Sequence, residues 1–166
     1  TCVNRGCVPK KLYSYASHIS DDFDLMNSFG WSVSKKKFSW QKLVSNKKKE
    51  LSRLSSIYSS LLVNSGVKVY KNYASFVDPN SIKIGNKIIN AKKFLIAVGT
   101  KPKKLDFLAS NEIVTSDEAF DLKKLPKSII ILGGGYIGVE FASIFNGLGV
   151  DTTICIRGKK ILKGFD

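Results

Sequence analysis

An α/β fold is predicted for this 166-residue chain, and three observations carry the expectation. Residues 128–132, Ser-Ile-Ile-Ile-Leu, form an unbroken apolar run like that of parallel strands buried on both faces. Gly133-Gly134-Gly135 follows at once and opens a helical pattern from Tyr136 to about Leu148, with Gly149 as its cap. A second strand-like run from Asp151 to Arg157 completes a β-α-β unit.

The preceding residues have another texture. From Val8 to about Ser28 the pattern is helical, with Leu12, Tyr15, Ala16 and Ile19 spaced for one face, and Gly30 ends it. Ser39 is a candidate N-cap for a longer second helix. Its apolar stripe is Trp40, Leu43, Val44, Leu51, Leu54, Ile57, Tyr58, Leu61 and Leu62, and Gly66 closes it. Short strands are expected at 67–70, 73–77, 81–84 and 87–89, with Asp78-Pro79-Asn80 and Gly85-Asn86 as turns. Phe94–Val98 reads as a buried strand ending at Gly99. The chain turns polar around Lys101–Leu105, so residues 1–100 and 101–166 are expected to belong to two domains.

Composition narrows the function. No run reaches the roughly eighteen apolar residues of a membrane span, and residues 1–15 hold no apolar signal-peptide core. No membrane association is expected. The chain begins without methionine and stops just after a strand-like run, which suggests an internal piece of a longer protein. A net charge of +14 raises nucleic-acid binding as an alternative. Yet only Arg5, Arg53 and Arg157 of the 27 basic residues are arginine, and the lysines are scattered without interleaved aromatics. Lys35–Lys37 and Lys47–Lys49 are expected as solvated faces, the second on the side of its helix away from the apolar stripe. No nucleic-acid partner is expected, since such a module leaves the glycine loop unexplained. Of the three cysteines, Cys155 lies in an apolar strand-like run and is expected to be a buried, inert thiol. The other two form a close pair in what reads as an intracellular, cytoplasmic protein. His18 is the only histidine, so no metal-ligand set is apparent.

Gly133, Gly135 and Gly138 fit G-x-G-x-x-G between a predicted strand and a predicted helix. In such a loop the first glycine permits the tight turn, the second lets backbone approach a pyrophosphate, and the third lets helix pack on strand. The helix start offers free amides and a partial positive charge to the phosphates. An acid at the end of the following strand would bind the 2′-hydroxyl of NAD. Here Ile156-Arg157-Gly158-Lys159-Lys160 and Lys163 carry no acid, which points to NADP.

The chain opens Thr1-Cys2-Val3-Asn4-Arg5-Gly6-Cys7-Val8-Pro9-Lys10-Lys11. Cys7 stands near a predicted helix start beside Lys10 and Lys11, and both features favour thiolate. A stabilised thiolate raises the reduction potential of a disulfide and poises the pair for exchange. A structural disulfide and a zinc site remain alternatives, although zinc needs two more ligands.

C-V-N-R-G-C-V-P-K-K resembles the redox-disulfide motif of the class I flavoprotein disulfide reductases. The V-P-K-K ending is similar to the glutathione and trypanothione reductases, and Arg5 to bacterial and plant glutathione reductases. The likeness extends over essentially the whole chain. L-I-A-V-G-T-K-P at 95–102 resembles the A-T-G segment that closes the flavin domain, T-S-D-E-A-F at 115–120 the crossover, and G-G-G-Y-I-G-V-E-F-A at 133–142 the NADPH loop. The resemblance implies the remainder of an FAD-binding domain followed by the first β-α-β half of a Rossmann-like NADPH-binding domain.

It also implies roles. Cys2 and Cys7 form the redox disulfide, with Cys7 facing the flavin and Cys2 attacking the substrate, glutathione disulfide. Lys10 lies near the flavin and pairs with Glu140. A carboxylate among apolar helix neighbours seeks a cation once buried, which supports that pair independently. Tyr136 covers the flavin until NADPH displaces it, beside Ile137 of the same loop. Thr1, Ala74, Gly99 and Ser116 match flavin contacts, Tyr58 a substrate-site tyrosine, and Arg157 and Lys163 contacts of the 2′-phosphate. The complete enzyme is implied to be a homodimer whose catalytic histidine comes from the partner subunit, so this piece alone is expected to be inactive. A sibling such as trypanothione reductase is the alternative. The sequence departs from the family pattern at Val98 (usually threonine), at Gly138 (commonly alanine in NADPH users) and at Gly158 and Lys163.

Overall fold

In a computed structural model, residues 1–32, 37–102 and 113–164 are described, Asp24 by its backbone alone. Ten elements follow in order among the described residues: α1 (Cys2–Arg5), α2 (Cys7–Ser28), α3 (Trp40–Asn64), β1 (Ala74–Asp78), β2 (Ser81–Ile84), β3 (Lys87–Asn90), α4 (Ser116–Ala119), β4 (Ser128–Leu132), α5 (Tyr136–Gly147) and β5 (Asp151–Cys155). The fold is α/β. Its compact units are Thr1–Arg53 with Pro102–Asp166, and Leu54–Lys101. This grouping differs from the linear 1–100 and 101–166 division, because α2 packs on α5. Part of the expected boundary, Lys103–Leu105, lies outside the described residues.

The first unit is built on the β-α-β unit. β4 and β5 pair in parallel from Ser128↔Asp151 to Leu132↔Cys155, and α5 covers one face of them. The core joins Tyr13, Trp40, Ala119, Phe120, Phe141, Ile144, Phe145 and Val150, with Ile129 and Ile131 packed against it. Aromatic rings supply much of its cohesion: Phe120 lies 4.9 Å from Phe141, and Tyr13 lies 5.1 Å from Trp40. Edge and tilted contacts of this kind add to simple area burial.

Helix ends agree with the sequence. Ser39 caps α3 through a 3.3 Å bond from the Lys42 amide. α2, α3 and α5 are each followed by a glycine in the left-handed region, Gly30, Gly66 and Gly149, which lets the chain turn without a Cβ penalty.

The buried face of α2 does not agree. Tyr15 and Ile19 are exposed, while Tyr13 and Ser17 are fully buried. Ser17 seats against Gly147 of α5, where an added Cβ would come within 2.9 Å of the serine Cβ. Two small residues let the helices meet closely, and the Tyr13 hydroxyl reaches the Phe120 carbonyl at 2.7 Å. Burial pushes the Tyr13 phenol well above its usual pKa, helped by the charge of Asp121.

Lys47 also departs from expectation. It is 3% exposed rather than solvated. It fills the stripe position between Val44 and Leu51 and donates to the Phe120 carbonyl and to Asp121, each at 2.9 Å. Burial raises the Asp121 pKa, but hydrogen bonds from Lys47 and Lys48 outweigh it and hold the carboxyl below its usual value. Of the other lysine run, Lys35 and Lys36 lie outside the described residues and Lys37 is exposed.

Cys155, expected buried, is exposed. α5 covers one face of the β4–β5 pair, and Cys155 points to the other with Ile130 and Leu132, which the described residues leave open.

The second unit holds an antiparallel sheet in the order β1-β2-β3, turned at Gly85 (φ 59°). Two expected strands do not form. Residues 67–70 and 94–98 take no regular secondary structure, and Leu95 is 93% exposed. Apolar residues favour a strand, but the state exists only when a neighbouring strand takes the backbone hydrogen bonds. Phe94 instead packs edge-on against Phe76, 5.0 Å away.

Candidate functional site

The cysteine pair is set at the meeting of α1 and α2. Cys2 begins α1, whose single turn is closed by the Arg5 amide bonding the Thr1 carbonyl at 2.8 Å. Cys7 begins α2. Gly6 lies between, where an added Cβ would sit only 3.3 Å from Cys2 Cα and the Thr1 oxygen. This close fold brings the cysteine Cα atoms to 4.7 Å, and their sulfurs are joined as a disulfide. Both cysteines are exposed. Once the bond is opened, the sulfur of Cys7 stands at the positive end of a 22-residue helix, which favours thiolate.

Lys10 lies on the same first turns of α2 and meets Glu140 of α5 at 2.7 Å. The side chains are 28% and 36% exposed, so the pair is half-buried and partly screened. Lys11, by contrast, lies over the Tyr15 ring. The Lys10–Glu140 contact should show as non-additivity in a double-mutant cycle. Lys10→Met and Glu140→Leu are expected to couple by about 0.5–1 kcal/mol in unfolding of the protein, the lower part of the range for contacting residues because of exposure. Strict additivity would mean that the two side chains do not hold each other.

The glycine loop links β4 to α5. The Gly133 amide bonds the Cys155 carbonyl at 2.9 Å across the sheet, and Gly133 adopts φ 116°. Gly135 is the N-cap of α5, with no side-chain cap, and an added Cβ there would meet nothing within 4 Å. The backbone thus leaves room beside the first-turn amides, the shape a phosphate needs. Gly138 is different: its added Cβ would come within 2.3 Å of the Gly133 oxygen. α5 lies so close to the loop that alanine there would require them to move apart, a local account of this departure from the family pattern.

The remaining candidates are placed as follows. Tyr136 and Ile137 begin α5 and are exposed. Thr1 stands at the N-cap position of α1 without a side-chain cap bond, and Ser116 begins α4 after the N-cap Thr115. Arg157 and Lys163 are exposed in the segment after β5. Tyr58, Ala74 and Gly99 belong to the second unit: Tyr58 is exposed on α3, Ala74 opens β1 and Gly99 has φ 75°.

Sequence reasoning missed a contact of the loop between the cysteines. Arg5, between the two cysteines, bonds Asp117 of α4 at 3.0 Å. A signal existed in Thr115-x-x-Glu118, which forms a complete capping box and orders the turn that carries Asp117. Among the described residues no helix is long and apolar enough to cross a membrane.

Comparison with known proteins matches residues 1–166 to the family described as pyridine nucleotide-disulphide oxidoreductase. The chain is 46% identical over its whole length to the chloroplastic/mitochondrial glutathione reductase of Pisum sativum, of which it covers 30%. It is 45% identical to the glutathione reductase of a Nostoc species, covering 36%. With a thioredoxin reductase of Emiliania huxleyi the identity is 36%, covering 34% of that protein.

Proposed function

This chain belongs to the pyridine nucleotide-disulphide oxidoreductase family, and from that premise we propose that it is part of a glutathione reductase that takes electrons from NADPH and delivers them to glutathione disulfide through Cys2 and Cys7. The observation that carries the proposal is the placement of the joined cysteines and the glycine loop on two packed helices, α2 and α5, linked by Lys10 and Glu140 at 2.7 Å. A disulfide with structural duty alone leaves the glycine loop and this link unexplained.

FAD and NADPH are the cofactors of the proposal. The open backbone at Gly135 and the uncapped start of α5 fit a pyrophosphate, with Gly133, Gly138, Tyr136 and Ile137 framing it. Arg157 and Lys163 would meet the 2′-phosphate. Thr1, Lys10, Ala74, Gly99 and Ser116 would hold the flavin. A bound flavin supplies two-electron exchange between nicotinamide and disulfide.

The cysteines perform the rest. Two electrons break the Cys2–Cys7 bond, and the helix start holds Cys7 as thiolate. The Cys2 sulfur attacks one sulfur of glutathione disulfide and releases the first glutathione. Cys7 then attacks the Cys2 sulfur, re-forms the disulfide and releases the second, and one proton ends on each departing thiol. In the complete enzyme a homodimer and a cytoplasmic setting, where thiols stay reduced, belong to the same proposal. Tyr58 is assigned to the substrate side.

A sibling reductase is the second reading, favoured by the 36% identity with a thioredoxin reductase. NADPH oxidation by the complete protein separates the two. The kcat/KM for glutathione disulfide is expected to exceed that for oxidised thioredoxin or trypanothione disulfide by at least about tenfold, and the reverse order would reassign the substrate. Cofactor choice is tested at Arg157. Losing a charge-assisted contact costs about 1.5–3 kcal/mol, so Arg157→Ala is expected to raise the KM for NADPH by about tenfold to a hundredfold and leave that for NADH nearly unchanged. Equal losses for both would remove Arg157 from 2′-phosphate recognition.

A further inference from the structure

The segment after β5 does not simply run on from the sheet. The Leu162 amide donates to the Gly134 carbonyl at 2.7 Å, so the chain turns back onto the glycine loop. Leu162 is the non-glycine residue with positive φ (53°) among those described, a conformation that a leucine takes only when its surroundings impose it. Ile156 and Ile161 close over the same point from either end of the turn. A Cβ added at Gly134 would lie 2.7 Å from Ile156 Cγ2, 3.2 Å from Ile161 Cγ2 and 3.3 Å from Ile161 Cα. Gly134 is therefore a seat that a side chain would fill, although it is a variable position of the G-x-G-x-x-G pattern.

We propose that Gly134 and Leu162 form a clip that holds the basic segment 157–163 against the glycine loop, and that this clip sets the preference for a 2′-phosphorylated dinucleotide. The inference rests on the reading of Arg157 and Lys163 as 2′-phosphate contacts. Arg157 directly follows Ile156 and Lys163 directly follows Leu162, so each cation is next to a pinned residue. The intervening Lys159 and Lys160 are exposed on the same turn. Exposed cations on a loose segment give a nucleotide only screened, long-range attraction. Held at fixed places, they bind one phosphate without the entropy loss of ordering the segment at each binding event.

The test is calorimetric binding of 2′,5′-ADP and of 5′-AMP to the complete enzyme, which reads the adenosine end of the site independently of turnover. The unmodified protein is expected to prefer 2′,5′-ADP, and Arg157→Ala to lose that preference. Gly134→Val is expected to lower the preference about tenfold while flavin content and 5′-AMP affinity are kept. Because valine could also distort the loop itself, two further variants are needed. Ile161→Ala, at an exposed position, should lower the preference by about threefold by loosening the seat from the other side. Gly134→Ala should lower it too, and adding Ile156→Ala, which removes the methyl nearest the new Cβ, should restore it. An equal fall for both ligands in Gly134→Val overturns the clip. So does an unchanged preference in Gly134→Val and Ile161→Ala when Arg157→Ala has lost it. If the unmodified protein shows no preference, or Arg157→Ala keeps it, the reading of the 2′-phosphate site fails first and the clip with it.

Discussion

Serine at either Cys2 or Cys7 is expected to reduce disulfide turnover of the complete enzyme by on the order of a thousandfold or more, the scale of losing an essential nucleophile. The two variants should fail differently. With Cys7→Ser, Cys2 can still attack glutathione disulfide, but no sulfur remains to resolve the mixed disulfide. Glutathione should stay bound to Cys2 and be visible in the mass of the protein. With Cys2→Ser, Cys7 remains at the start of α2, where the helix stabilises its thiolate. Its alkylation should then titrate below the ordinary thiol value of about 8.5, with little glutathione retained. A trapped adduct in Cys2→Ser and none in Cys7→Ser would reverse the two roles.

The second large effect is expected at Gly138. A Cβ there would press on the carbonyl oxygen of Gly133, whose amide is already held by the Cys155 carbonyl across the sheet. Gly138→Val adds two further methyl groups at that spot. The variant is expected to lose about 1–3 kcal/mol of stability, as overpacked sites do, and most of its nucleotide affinity because the loop must move. Gly135→Ala supplies the contrast. Its added Cβ meets nothing within 4 Å, and its backbone, at φ −76°, is open to any residue. The thermal transition should be unchanged while NADPH affinity falls, since the methyl would occupy the space proposed for phosphate. Normal NADPH binding by Gly135→Ala would show that the loop does not receive a phosphate there.

Much of this was legible in the residues. The three-glycine turn between an isoleucine run and an apolar helix could hardly be placed elsewhere, because each glycine answers a separate steric demand. The cysteine spacing, with Gly6 inside it, anticipated a close pair, and family resemblance supplied the link between Lys10 and Glu140. What escaped the sequence were small and polar residues with packing duties. Ser17 carries no hydrophobic signal, yet it is where α2 meets α5. Lys47 occupies an apolar-stripe position, and its charge concealed that fact. Arg5 and Asp117 are 112 residues apart, too far for any local pattern to pair them.

By itself the sequence determined the three long helices, where they stop, and where the glycine loop and the close cysteine pair lie. Those properties depend on near neighbours: caps, glycines and side-chain periodicity act within a few residues. Only the tertiary structure decided which face of α2 is buried and that Lys47 is taken inside. Each of those outcomes depends on a partner distant in sequence. A face is buried only where another surface fits it, a lysine only where carbonyl and carboxylate oxygens wait for it, and a strand forms only beside a strand.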